Sequence, residues 1–344
     1  MFFSRCGSAT AFAISIVATL YAAPAALAGG NTVYPLTVEN CGRQVAFEKA
    51  PERVVAVGQS TAEILYLLGL AGKVVGTAVW VGPVLSQYKE VNDGIPRLAD
   101  NSPSFESVVE KKPDLVAAQF QWNVGPEGVV ATPDQFAELG INVYNAPADC
   151  KGKDNEGGGD GVRMAAFDMT LIYQEIQELA EIFDVRERGE TLVQELRIRE
   201  AAAREKAIRP ESDVSAVFWF SSAELDIDPY VAGKYGAPAY IMSAFGIRNI
   251  IDSNEEWPTV GWETIAKADP TVIVVGKMGR RRFPADDVTV KREFLATDPV
   301  ASLMTATRKN YVIEMDAQAM NPTIRTIEGI EILAEALTKL GLSH

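Results

Sequence analysis

Arg53–Thr77, RVVAVGQSTAEILYLLGLAGKVVGT, reads as strand, turn, helix, turn, strand. Val54, Val55, Ala56 and Val57 form a short apolar run suited to a strand covered on both faces. Gly58-Gln59-Ser60-Thr61 has the composition of a turn, and Ser60 or Thr61 is expected to cap the following helix. That helix carries Ile64, Leu65, Leu67 and Leu68 and stops at Gly69. A second apolar strand starts at Lys73. The only charge in the helix is Glu63, placed where the helix dipole favours a carboxylate.

The same alternation continues outward. Strands are expected at Asp114–Gln119 and Ile141–Tyr144, with helices at Ser104–Lys111 and Pro133–Leu139. Asn31–Phe47 reads as a hairpin-like entry turning at Asn40-Cys41-Gly42. A second series follows Pro210: strands Val214–Phe220, Thr271–Val275 and Tyr311–Glu314, with helices Tyr240–Phe245, Trp262–Ala268 and Pro322–Leu340. Between the two series, Arg163–Arg209 is helical and charge-laced, broken near Asp184-Val185. The pattern predicts an α/β fold of two doubly wound sheet lobes joined by a long interdomain helix, with a ligand cleft between the lobes. The boundaries are 29–184 for the first lobe, 185–209 for the helix and 210–344 for the second lobe.

Residues 1–28 read as a secretory signal: Arg5, an apolar stretch from Ala11 to Leu20, then Ala26-Leu27-Ala28 as the cleavage site. No later run approaches the roughly 20 apolar residues of a membrane helix. The predicted product is exported to the periplasm and monomeric, with no stable membrane insertion. Its net charge of −14 argues against nucleic acid and anionic lipid as partners. After export Cys41 and Cys150 would remain, and an oxidising compartment favours a disulfide between them. Closing so long a loop is worth about 4–5 kcal/mol in the chain-entropy model. Asp149–Gly161, DCKGKDNEGGGDG, reads as a loop or linker. Its Asp154, Glu156 and Asp160 do not have the spacing of a calcium loop.

PERVVAVGQSTAEILYLLGLAGKVVGT, PSFESVVEKKPDLVAA and LGINVY, followed by WPTVGWETIAKADPTVIVV and NYVIEMDAQAMNPTIRTIEGIEILAEAL, resemble the helix-hinged (class III) periplasmic substrate-binding proteins of ferric siderophore, haem and cobalamin ABC importers. The resemblance covers nearly all of the chain beyond the signal. It implies a binding role without catalysis or resident cofactor, an iron chelate as cargo, and an inner-membrane ABC permease as partner. It also implies one surface carboxylate per lobe that pairs with permease arginines, here Glu63 and Glu263. Each alone reads as an ordinary charge at a helix start, and their matched places in the two lobes favour docking.

The ligand is expected at the strand ends facing the cleft. Candidate liners are Trp80, Gln121 and Trp122 in the first lobe. In the second they are Trp219, Tyr230, Arg280, Arg281, Arg282, Gln318, Met320 and Arg325. Aromatic faces with arginine forks suit a flat or greasy chelate carrying negative charge. The bland alternatives are core packing for the aromatics, Trp219 above all, and a solvated loop for the three arginines. Asp226 and Asp228 would oppose an anion if they faced the cleft.

A bare transition-metal site would want several His, and the only one is His344. Haem could use Tyr230, Tyr235 or Tyr311, and cobalamin the aromatics alone. A serine hydrolase with Ser60 as nucleophile is the remote alternative. Ala62 stands where the nucleophile elbow needs Gly, and no His is placed to act as base. A repetitive adhesin would show tandem repeats, and none appears.

Overall fold

The computed structural model describes residues 1–2, 31–157, 160–210 and 213–343, so nearly all of the expected signal lies outside the described residues. An antiparallel hairpin opens the fold, β1 (Leu36–Asn40) against β2 (Arg43–Phe47), with Asn40 opposite Arg43. Its two-residue turn, Cys41-Gly42, has φ of +50° and +79°, the paired left-handed geometry that matches strand twist in tight hairpins.

The first lobe then runs β3 (Val54–Val57), α1 (Gln59–Leu67), β4 (Val74–Ala78), α2 (Lys89–Asp93), β5 (Arg97–Ala99), α3 (Phe105–Val109), β6 (Leu115–Ala118), α4 (Pro133–Ala137) and β7 (Asn142–Asn145). The sheet order is β5-β4-β3-β6-β7, parallel throughout. All four residues of β3 and of β6 are buried, which is why those runs lack alternation. A short hairpin, β8 (Lys153–Asp154) with β9 (Val162–Arg163), follows β7. Then come α5 (Thr170–Ile182) and α6 (Arg186–Lys206), parted by Asp184 at φ +56°.

The second lobe contains β10 (Ser215–Ser221), β11 (Tyr230–Val231), α7 (Ala237–Phe245), β12 (Arg248–Asn249), α8 (Trp262–Ala268), β13 (Val272–Lys277), α9 (Val288–Thr297), α10 (Thr305–Arg308), β14 (Val312–Asp316) and α11 (Thr326–Lys339). Its sheet runs β11-β10-β13-β14, with β12 also pairing β10; only β11 is antiparallel. One apolar core extends from β3 and β6 through α5 and α6 to β10, β13 and α11, and a separate cluster covers the outer face of each sheet. Helix α6 packs against both α5 and α11. Its Glu200 accepts from Tyr173 of α5 at 2.6 Å and from Tyr240 of α7. Arg199 donates to Glu331 of α11 at 2.6 Å. The linking helix is thus bonded along its length to elements of both lobes, which resists wide opening.

Two local expectations need correction. Neither Ser60 nor Thr61 caps α1. Gly58 occupies the cap position at φ +144°, and a β-carbon there would lie 2.2 Å from Gln119 Cβ, so only glycine fits. Gln119, directly after β6, takes over the capping role, its Oε1 accepting from Ser60 N–H at 3.1 Å. Thr61 instead donates to Glu175 of α5 at 2.9 Å.

Glu175 is wholly buried between α1 and α5, and burial, with Glu178 adding to it, pushes its carboxyl up to about 7 from 4.5, against the Thr61 hydrogen bond. The folded state therefore holds a proton there that the unfolded chain has already lost. Stability should fall as pH rises from about 4.5 to about 7 and level off above, a loss of roughly 3 kcal/mol. Denaturant titrations across that range should show the slope, and Glu175→Gln should flatten it and raise stability at pH 8.

The interlobe cleft and its floor

The two lobes meet below a cleft of about 320 Å³. Besides α6 and a hydrogen bond from Phe167 N–H to Tyr235 O at 2.7 Å, three sets of contacts hold them there. The first is a buried ion pair at the floor. Glu63 of α1 is 1% exposed and Arg325, preceding α11, 7%. Arg325 Nε donates to Glu63 Oε2 at 3.0 Å, Nη2 donates to Oε1, and Nη2 also reaches Pro83 O at 2.8 Å. Gln59 Nε2 and Leu85 N–H donate to the same carboxylate at 3.2 and 3.1 Å. Burial pushes the Glu63 carboxyl above its ordinary value, and Arg325 holds it against that push. Gln318 Nε2 donates to Gln59 Oε1 at 3.3 Å across the same interface.

The second connection is backbone: Gly279 and Arg280 N–H both donate to Val81 O, at 2.7 and 3.1 Å. The third is the β8–β9 hairpin. Arg163 N–H donates to Asn254 O at 2.8 Å and Glu256 N–H to Gly161 O at 3.1 Å, so residues 150–157 and 160–165 strap the first lobe to the second. The Cys41–Cys150 disulfide pins the near end of this strap to the opening hairpin. The described part of the glycine-rich stretch is therefore a tethered wall of the cleft rather than a linker.

Six aromatic side chains line the cleft: Phe120, Trp122, Phe220, Tyr230, Trp257 and Phe283. Arg280 and Arg282 join them from the loop after β13. Asp286 lies 3.4 Å behind Arg280, while Arg282 sits over the Phe283 ring at 4.9 Å with no ion pair among the described residues. The strap side adds Asp149, Lys153, Asp160, Arg163 and, from the second lobe, Glu256.

Of the residues singled out from sequence, the cleft wall contains Trp122, Tyr230, Arg280 and Arg282. The others lie elsewhere. Trp80 is buried beneath the Arg97 guanidinium, 3.7 Å from its ring centre. Trp219 packs edge-on against Trp262 in the outer core, because strand alternation turns it away from the cleft. Gln121 accepts from Asn155 at 2.9 Å behind the wall. Arg281 turns back to donate to Met278 O at 2.5 Å and pairs with Asp287. Gln318 and Arg325 belong to the floor, and Met320 is fully buried. Tyr235 and Tyr311 are not among the cleft liners, and neither are Asp226 and Asp228, both exposed.

Glu63 is the main correction: a carboxylate sealed inside an interlobe pair cannot meet a partner's arginine. Glu263, at the start of α8, is exposed as expected. Its topological counterpart in the first lobe is Glu106 at the start of α3, also exposed. The signal was in the sequence. Phe105-Glu106-Ser107 and Trp262-Glu263-Thr264 are each followed by a proline at the same spacing, Pro113 and Pro270, and then by β6 and β13. The strap's Lys153, Asp160 and Arg163 were missed because a glycine-rich polar run gives no periodic sign of structure.

A profile of the periplasmic binding protein family matches residues 54–319. The chain belongs to that family. It is similar, at 23% identity over 312 residues (89% of this chain, 86% of the relative), to YvrC, an uncharacterized ABC transporter substrate-binding lipoprotein of Bacillus subtilis. A vitamin B12-binding protein of Yersinia pestis is 26% identical over 231 residues, 66% of this chain and 70% of that one. Among solved structures, an ABC-type Fe3+-hydroxamate transport system from Saccharomonospora viridis superposes with a TM-score of 0.70 at 25% identity, covering 89% of this chain and 99% of that one. This periplasmic binding protein is thus a substrate-binding component of an ABC transporter, not an enzyme.

The floor pair makes a direct prediction. Arg325→Met leaves the Glu63 carboxylate buried and unpaired and should destabilise the protein by about 3–5 kcal/mol in urea unfolding. Adding Glu63→Leu should recover most of that loss. A single variant as stable as the parent would show that the pair does not hold the lobes.

Proposed function

We propose that this protein captures a ferric siderophore in the periplasm and hands it to the permease of an ABC importer. The observation that carries the reading is the composition of the cleft wall. Six aromatic rings and three arginines line it, and among the described residues no imidazole or thiolate does. Among the described residues no group of three or more His, Cys, Asp or Glu is placed to hold a metal ion, which favours a ligand that brings its own metal coordination. Ring faces then supply apolar area and arginine edges meet oxygen-rich, electron-rich ligand surface. A volume of about 320 Å³ is at the small end for ligand sites and suits a compact chelate. The Fe3+-hydroxamate relative supports the same ligand class.

A corrinoid is the second reading, favoured by the aromatic walls and the B12-binding relative. Haem would need an axial ligand from the wall, and among the described residues Tyr230 is the only phenol there. Delivery rests on the matched, exposed glutamates Glu106 and Glu263, one per lobe. Single exposed ion pairs contribute about 0.2–1 kcal/mol, so two well-separated charges chiefly steer and register the docking.

Tryptophan quenching should show saturable binding of a ferric trihydroxamate at micromolar levels or tighter, with haemin and the metal-free chelator weaker. Arg282→Ala should weaken the chelate about tenfold. Tight binding of haemin or cyanocobalamin in its place would retire the siderophore reading. Glu106→Arg combined with Glu263→Arg should abolish uptake by cells while leaving the titration curve unchanged. Uptake at the parental rate would remove these residues from docking.

A further inference from the structure

Arg280, Arg281 and Arg282 are consecutive, yet each meets a different fate, and two aspartates of the same loop decide which. Asp286 and Asp287 stand just before α9. Asp287 caps that helix, accepting from Thr289 N–H at 2.9 Å, and pairs with Arg281 at 3.4 Å. Asp286 is fully buried. Its Oδ2 accepts from Arg282 N–H at 2.8 Å, from Phe283 N–H at 3.1 Å and from Arg280 Nε at 3.4 Å. Its Oδ1 accepts from the Ser221 hydroxyl at 2.7 Å.

Four donors fill the acceptor capacity of a carboxylate, so Asp286 has nothing left to offer a ligand. Helix α9 does not need it either, because Asp287 supplies the cap. What Asp286 holds is the cleft wall. Ser221, Arg280, Arg282 and Phe283 all line the cleft, and each is bonded to it. Among the described residues the Arg282 and Phe283 N–H groups have no other partner. Lys291 supports the same wall from α9. It is fully buried, and its Nζ donates to Gly276 O at 2.6 Å and to Phe220 O, at the ends of β13 and β10.

The charges are sorted by the same contacts. Arg280 is neutralised by Asp286. Arg281 is neutralised by Asp287 and turned back on Met278 O. Arg282 remains over the Phe283 ring with no ion pair among the described residues. A guanidinium stacked on a ring and kept away from carboxylates is set to meet an oxygen-rich ligand edge.

We propose that Asp286 is the positioning residue for the cationic edge of the cleft. It grips the loop backbone so that Arg282, alone of the three consecutive arginines, presents an uncompensated charge to the cargo. This rests on the reading of the cleft as the ligand site, but not on which cargo fills it.

Affinity of the mature protein for a ferric trihydroxamate is measured by tryptophan quenching in the parent, Asp286→Ala, Arg282→Ala and the double variant. Asp286→Ala should bind about tenfold more weakly or worse, although the residue touches no ligand. Adding Arg282→Ala to it should cost less than about threefold more, against about tenfold in the parent background, because the guanidinium is already misplaced. Asp286→Asn keeps one acceptor for the two backbone N–H groups and should recover most of the loss. Thermal melts establish that each variant is folded. Losses that simply multiply would assign Asp286 a general structural role and overturn the proposal, as would parental affinity in Asp286→Ala.

Hydrogen exchange gives a second measurement that needs no ligand. The amides of Arg282 and Phe283 should exchange about tenfold faster in Asp286→Ala than in the parent, and about threefold faster in Asp286→Asn, with the amides of β13 changing less. If Asp286→Ala does not fold, the asparagine variant decides. Exchange at the parental rate overturns the grip. If the chelate does not bind the parent protein, the siderophore reading fails on its own, and the same four proteins are compared with cyanocobalamin and haemin. If none of the three probes binds, the exchange rates decide.

Discussion

The arrangement of the lobes depends on one charge pair buried between them. Glu63 and Arg325 are far apart in sequence, one on the first helix and one before the last, and meet under the cleft with almost no exposure. Burying two charges is unfavourable unless their geometry is nearly ideal. Here the guanidinium makes a two-point fork, and Gln59, Leu85 and Pro83 satisfy what remains. Once that pair is made, Val81 is held against Gly279 and Arg280, and the two sheets have a fixed spacing. The cleft above is what is left between them.

How readily each feature could be read from sequence follows from its physical range. Strands β3, β6 and β13 announce themselves as short apolar runs between turn residues. The helices that follow have local caps and a repeating apolar face. Those are interactions between neighbours in the chain, and the two-lobe α/β architecture follows from their order. The disulfide was legible too, because only Cys41 and Cys150 remain beyond the expected signal. Partnerships across the lobes were not. Glu63 looks like any acidic residue near a helix start, and nothing nearby indicates that Arg325 will cover it. Trp80 and Trp219 lie close to the expected strand ends, yet Arg97 claims one and strand alternation sends the other to the outer core.

The strap illustrates the opposite error. Asp149–Gly161 has too many glycines to predict any element, and a flexible linker is the natural reading. The fold gives it structure from outside instead, through the disulfide at one end and backbone pairing to Asn254 and Glu256 at the other. Asp149, Lys153 and Arg163 then face inward, Lys153 paired with Asp149 and Arg163 with Glu256, while Lys151, Asp154, Glu156 and Asp160 stay exposed. Lys153 is 4% exposed at its side chain and Arg163 1%, which no hydropathy pattern anticipates for a polar loop. The cleft consequently has one wall of rings and arginines and another of paired charges.

The position of Cys150 bears on how the protein is made. It directly follows Asp149, whose carboxylate holds both Lys153 and the Gln121 N–H. Protein accumulated in a reducing cytosol would carry two thiols at this point, and the wall would hang from the first lobe by hydrogen bonds alone. Protein matured after export would have that wall fastened. Two preparations with identical sequence and mass within two protons could then differ in ligand affinity, and the thiol content of a sample becomes part of its description.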